Sequence, residues 1–239
     1  MKRRLRVRRG AGDAARLETY EVDMEDGATL LDALEYLRTG TAPDLAYRHS
    51  CHHGSCGTCS VRLDGREVLA CLTLLAALAD GDDPSIVEPL AGFEPVADLA
   101  VDPGRLFRSL PKHTAHVRAS EWVDGEIVSG SESAAAGRTP AGTERYVRFE
   151  DCIECGCCVS ACPVSAAELP FRGPAALAAI HREAINKPER RDEMMELASR
   201  DDGVGPCDRH LACSKVCPRF VYPGKHIELL RREIAGDKA

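Results

Sequence analysis

At 239 residues, with 44% hydrophobic and 29% charged side chains, the chain has the apolar material for a packed core and the length for two domains, which excludes disorder throughout. The net charge of −7 argues against a nucleic-acid binder, which usually carries a basic excess. No apolar run approaches the ~20 residues of a membrane span; the longest lies around Leu72 to Ala79. The basic opening MKRRLRVRRG has no apolar stretch behind it and does not read as a secretory signal. A reducing compartment is therefore expected, where twelve cysteines mean metal or redox chemistry more than disulfides.

In chain order, Leu5–Arg9 and Leu17–Met24 alternate as a strand pair around Gly10 and Gly12. Thr29–Leu37 has apolar residues at helical spacing and ends before Gly40. Val61–Leu63 and Glu67–Cys71 flank Asp64–Gly65, a hairpin turn signal, and Ile86–Leu90 reads as a further strand. Residues 124–144, rich in Gly, Ser and Ala, read as a flexible linker. Beyond it, Gly173–Asn186 with Pro174 at its first position, Glu189–Ser199 and Lys225–Ala235 read as helices. The expected fold class is α+β, a small mixed sheet followed by a helical domain. Charge follows the same division: residues 1–102 hold 11 basic and 18 acidic side chains, whereas 103–239 hold 20 of each. The acidic half is either a solvated surface or a docking face for a basic partner.

The cysteines form three groups. Cys51, Cys56, Cys59 and Cys71 have the plant-type ferredoxin spacing for a 2Fe–2S cluster. Gly54 and Gly57 let the backbone pass close to the cluster, and Cys71, on the strand after the turn, supplies the fourth thiolate. Zinc is the alternative, but only one C-x2-C pair is present here. His49, His52 and His53 read as loop residues. Next, Cys152, Cys155, Cys158 and Cys162 with Pro163 complete the bacterial run C-x2-C-x2-C-x3-C-P. Cys207, Cys213, Cys217 and Pro218 repeat that frame with His210 in place of the second cysteine. In two-cluster ferredoxins the fourth cysteine of each run serves the other cluster. That rule gives Cys152, Cys155, Cys158 and Cys217 to a 4Fe–4S cluster, and Cys162, Cys207 and Cys213 to a 3Fe–4S cluster. Cys157 is left as a non-ligand. His210 is expected to pack beside the cluster, since imidazole is an uncommon ligand there. Pro163 and Pro218 turn the chain so that each fourth cysteine points away from its own loop.

Three clusters in this order, with the middle cysteine of the last run missing, resemble the iron–sulfur subunit of the succinate dehydrogenase and fumarate reductase (complex II) family over almost the whole chain. The segment GPAALAAIHREAIN resembles the family's helix between the two runs. The resemblance implies an N-terminal β-grasp ferredoxin domain (1–103), a connecting segment (104–145) and an α-helical ferredoxin domain (146–239). It implies electron transfer between FAD on a partner flavoprotein subunit, where succinate and fumarate interconvert, and quinone at membrane-anchor subunits, as in the tricarboxylic acid cycle. The chain itself has no Gly-x-Gly-x-x-Gly nucleotide loop and no residue set for dicarboxylate chemistry. It would sit peripherally on the cytoplasmic side of the membrane, with Pro163, Ala167, Asp208 and His210 neighbouring the quinone site. Quinone-reducing members often carry Trp where Ala167 stands and His where Asp208 stands. The iron–sulfur subunit of a soluble or thiol-linked fumarate reductase, a free multi-cluster ferredoxin and a structural zinc protein are the alternatives.

Overall fold

The computed structural model describes residues 1–78, 83–111, 152–167 and 170–236; the linker expected at 124–144 lies outside them. Strands β1 (Lys2–Arg9) and β2 (Arg16–Asp23) pair antiparallel along their whole length, Lys2 opposite Asp23 and Arg9 opposite Arg16. The period of two along β1 buries Leu5 and Val7 and leaves Lys2 and Arg4 exposed. Helix α1 (Leu30–Thr39) begins at a reciprocal cap. The Thr29 hydroxyl accepts from the Asp32 N–H at 3.2 Å, and the Asp32 carboxylate accepts from the Thr29 N–H at 2.8 Å. Its Leu30, Leu31, Leu34 and Leu37 are buried on one face. They pack with Leu5, Val7, Val61 and Val87 into the core of the first half.

Strands β3 (Ser60–Leu63) and β4 (Arg66–Leu69) form the expected hairpin. Asp64 and Gly65 both take positive φ, 49° and 79°, the twist that suits a two-residue hairpin turn. With β5 (Ser85–Glu88) the sheet order is β2-β1-β5-β3-β4, parallel only between β1 and β5. A separate antiparallel pair, β6 (Glu94–Ala97) and β7 (Ala100–Asp102), and a short helix α2 (Gly104–Ser109) follow. The sequence reading did not anticipate these three.

The second half is helical: α3 (Cys157–Ser160), α4 (Pro163–Ala166), α5 (Pro174–Asn186), α6 (Arg191–Ser199), α7 (Ala212–Lys215) and α8 (Pro223–Ile234). Helix α5 is buried all round from Pro174 to Ala184, the signature of a central core helix. Its Leu177, Ile180 and Ala184 pack with Met194 and Ala198 of α6 and Ile227 and Leu230 of α8. The helix expected from Glu189 begins at Arg191 instead, because Pro188–Arg190 forms a separate 3-10 turn.

The halves meet over a mixed surface. Leu90, Phe93 and Leu106 share a core with Val159 and Ala175, and Ile153 and Cys155 pack on the core of the first half. The Arg105 guanidinium donates to the carbonyls of Gly92 and Ser165, bridging both sides. The tightest approach is at Gly57, where φ is +71° and an added Cβ would lie 2.7 Å from Cys155 Cβ and 2.7 Å from the Ile153 carbonyl oxygen. Only glycine fits.

Two predictions follow from this packing. Gly57→Ala should lower the thermal unfolding midpoint, since the left-handed backbone alone costs an alanine about 1–2 kcal/mol and the contact must also open. An unchanged midpoint would contradict the close approach. The second concerns His181 on α5 and His226 on α8, buried with their Nδ1 atoms 2.8 Å apart; one ring must donate and the other accept. Glu233 stands 3.7 Å from His181 Nε2. Burial, then the Arg191 and Lys225 charges, pushes His181 down to about 4 from 6.5. Burial, then His181 and Lys225, pushes His226 down to about 4. The unfolded chain therefore takes up protons first on acidification. Stability from this pair is complete above about pH 6.5 and falls as pH drops toward about 4. Urea unfolding should show that loss in the parent and a shallower one in His226→Leu; equal slopes would refute it.

Candidate metal centres

The hairpin positions the first centre. Cys59 immediately precedes β3, and Cys71 follows β4 in a 3-10 turn (Ala70–Leu72) rather than on the strand expected from sequence. Strand β4 stops at Leu69, where the Ala70 N–H bonds the Cys59 carbonyl at 3.1 Å and closes the hairpin's open end. Cys59 and Cys71 are thereby held side by side and hydrogen-bonded to each other. Cys51 and Cys56 arrive on the preceding loop. Cys51 Sγ accepts the N–H groups of His53, Ser55 and Cys56 at 3.5, 3.2 and 3.3 Å. These donors, His53 foremost, bring the Cys51 thiol down to about 6 against the opposing effect of burial. Burial pushes Cys59 up to about 12. The three loop imidazoles are engaged elsewhere: His49 contacts His52 at 3.0 Å and Glu35 at 3.1 Å, and His53 contacts the Cys51 carbonyl.

The two later runs repeat one local fold. Glu154 and Gly156 take positive φ (51° and 81°), and so do Arg209 and Leu211 (58° and 59°) at the matching positions of the third group. Helices α3 and α7 then begin at corresponding residues. Such left-handed turns aim consecutive N–H groups inward. The Glu154 N–H bonds Cys152, the Cys157 N–H bonds Cys155, and the Val221 N–H bonds Cys217 Sγ at 3.3 Å.

The thiols gather across the runs. A narrow apolar cleft is lined by Cys152, Cys155, Cys158 and Cys217, with Leu106, Ala175 and Val221. Burial, then the Cys155 and Cys217 charges among others, pushes Cys152 up to about 12. A hydrogen bond with Cys157, then burial, raises Cys155. Burial, then Cys155, Cys152, Cys213 and Cys217, raises Cys158. Cys213 rises to about 11 through burial, then the charges of Cys162 and Cys207. Pro163, Ala167, Asp208 and His210 are all exposed, and His210 Nε2 lies 3.9 Å from Asp208. Fully buried Cys157 turns toward Cys155.

The donor chemistry fits iron–sulfur clusters: sulfur-only sets, backbone N–H groups already aimed at the sulfurs, and an apolar surround. Among the described residues, no three His, Cys, Asp or Glu side chains are placed to hold a single metal ion. Two polar residues at the junction of the halves had no sequence signal. Ser60 donates to the Gly57 carbonyl at 2.7 Å and also hydrogen-bonds Cys155. Glu67 faces Ser160. Neither has a local sequence signal, because both partners lie in the other half or across a loop.

Residues 4–108 match the family model described as a 2Fe-2S iron-sulfur cluster binding domain, and residues 148–221 match a 4Fe-4S dicluster domain. The chain is 34% identical to the fumarate reductase iron-sulfur subunit of Haemophilus influenzae, covering 92% of this chain and 87% of that one. It is 36% identical to the subunit of the same description from Escherichia coli O6:H1, covering 91% and 86%. Its structure superposes on a chain of the Mycobacterium smegmatis Sdh1 complex in the apo form with a TM-score of 0.78 and 26% identity, covering 99% and 97%. The spacing, the hairpin-positioned first centre, the paired left-handed loops and these likenesses agree: the chain belongs to the family of iron–sulfur subunits of fumarate reductases and succinate dehydrogenases.

Proposed function

We propose that this chain is the electron relay of a succinate:quinone oxidoreductase, working between FAD on a partner flavoprotein subunit and quinone at membrane-anchor subunits. Cys51, Cys56, Cys59 and Cys71 would hold a 2Fe–2S cluster. Cys152, Cys155, Cys158 and Cys217 would hold a 4Fe–4S cluster, and Cys162, Cys207 and Cys213 a 3Fe–4S cluster. When bound, these supply one-electron carriers in the order flavin, 2Fe–2S, 4Fe–4S, 3Fe–4S, quinone. The observation that carries the reading is the gathering of thiols across the two runs, Cys217 with Cys152 and Cys158, and Cys162 with Cys213.

The chain's own residues have three tasks in this reading. Backbone N–H groups of the left-handed loops stabilise negative charge on the ligating sulfurs. The apolar wall of Leu106, Ala175 and Val221 keeps water from the second centre. The contact of Gly57 with Cys155 holds the first two centres close. Residues 1–103, 104–145 and 146–239 are the first domain, the connection and the second domain, with the acidic first domain facing the flavoprotein. The anchor side is supported by the exposed side chains of Leu211, Phe220 and Tyr222 beside the third group; such an apolar cluster suits a buried subunit contact. Pro163, Ala167, Asp208 and His210 would border the quinone. Among the described residues no helix is long and apolar enough to cross a membrane. Partner subunits would provide the membrane attachment, on the cytoplasmic side.

The test is paramagnetic resonance on the purified complex. The oxidised complex should show a 3Fe–4S signal, and reduction should add a 2Fe–2S signal. Cys213→Ser should remove the first of these and abolish quinone reduction, while succinate oxidation with an artificial acceptor at the flavin persists. Wild-type quinone reduction by an assembled Cys213→Ser complex would overturn the order.

A further inference from the structure

Glu67 reaches from β4 into the junction between the halves and is only 7% exposed. Its Oε1 accepts a hydrogen bond from Ser160 Oγ at 2.8 Å. Ser160 Oγ in turn accepts the Ala91 N–H at 2.8 Å. The hydroxyl therefore has a donor and an acceptor on the first half, and its rotation is fixed. Arg62 offers incomplete neutralisation. Its Nε stands 3.7 Å from Glu67 Oε1, outside hydrogen-bond reach, and is buried without a hydrogen-bond partner. Its Nη1 is drawn to Glu88 at 3.4 Å.

Ser160 ends helix α3 between Cys158 and Cys162, which the proposed assignment gives to different centres. A carboxylate bonded to Ser160 thus places a negative charge, paired with Arg62 only at 3.7 Å, against the segment that serves both later centres. Adding an electron to an iron–sulfur centre adds negative charge, and nearby charge and hydrogen bonding set its potential. In a site withdrawn from water that coupling is weakly screened. A bridge that served only to hold the halves together would need no charge, since an amide accepts the same bond.

We propose that Glu67 is a positioning residue of the relay. Anchored by Ser160, its carboxylate lowers the reduction potentials of the two centres served by Cys158 and Cys162 relative to the first centre. This rests on the cluster assignment proposed above. It makes the junction a place where the driving force between the halves is set by one side chain of this chain, with Arg62 limiting the effect.

The experiment is a resonance-monitored redox titration of the purified complex, as parent, Glu67→Gln and Ser160→Ala. The parent must show the three cluster signals; their absence would overturn the cluster assignment itself, before any variant is compared. Glu67→Gln keeps an acceptor for Ser160 and removes the charge. The 4Fe–4S and 3Fe–4S midpoints should move to more positive values, and the 2Fe–2S midpoint should move less. Ser160→Ala leaves the charge but frees it to turn into the open groove lined by Arg62, Arg66 and Lys215, so it should give a smaller shift of the same sign. Unchanged midpoints in Glu67→Gln, a negative shift, or a shift confined to 2Fe–2S would overturn the proposal. If Glu67→Gln failed to assemble, Ser160→Ala would decide alone: a positive shift supports the proposal and no shift overturns it.

Discussion

Sulfur atoms from two distant runs meet in one cleft, and the packing of the second half brings them together. Cys217 lies against Cys152, Cys155 and Cys158 in one cleft, so the chain must fold back on itself with the two runs face to face. Helices α5 and α8 enforce this through Leu177, Ile180, Ile227 and Leu230. The runs then adopt the same pair of left-handed residues. The first run uses a glycine at the second of these positions, Gly156, whereas the third group uses Leu211. A non-glycine residue there costs about 1–2 kcal/mol, which the fold offsets by surrounding contacts. Leu211 Cδ2 lies against Gly224, where an added Cβ would come within 2.9 Å of it.

The second constraint is the distance between halves. Several contacts set it, among them shared apolar packing around Phe93 and Leu106, the Arg105 bridge, the Ser160 hydrogen bonds to Glu67 and Ala91, and the glycine contact at Cys155. Apolar packing is tolerant of small displacements; a backbone contact at Gly57 is not. Ser60 pins the Gly57 carbonyl from below and also touches Cys155. The loop of the first centre is therefore tied directly to a residue of the second. A contact that admits no Cβ fixes the approach of the halves more sharply than its small area suggests.

Much of this was legible in the sequence. The alternation of Leu5 and Val7, the Asp64–Gly65 turn and the apolar face of Leu30 to Leu37 each mark an element that the structure contains. The cysteine spacings pointed to the family. What was missed has physical causes. Strands β6 and β7 and helices α2, α3, α4 and α7 are shorter than the periods by which strands and helices announce themselves. Cys71 looked like strand because Glu67 to Cys71 alternates, but the closing bond from Ala70 to Cys59 turns the chain first. Gly57 was recognisable as a close approach without any sign of what approaches. The Glu67–Ser160 pair joins residues with no local relation, and no motif describes it.

The proposed exchange of ligands between runs is tested most directly by Cys217→Ser. Resonance spectra of the variant complex should show the 4Fe–4S signal lost or altered and the 3Fe–4S signal retained, because Cys217 is assigned to the centre of Cys152, Cys155 and Cys158. Loss of the 3Fe–4S signal with an intact 4Fe–4S signal would mean that each run serves its own centre, and would contradict the arrangement.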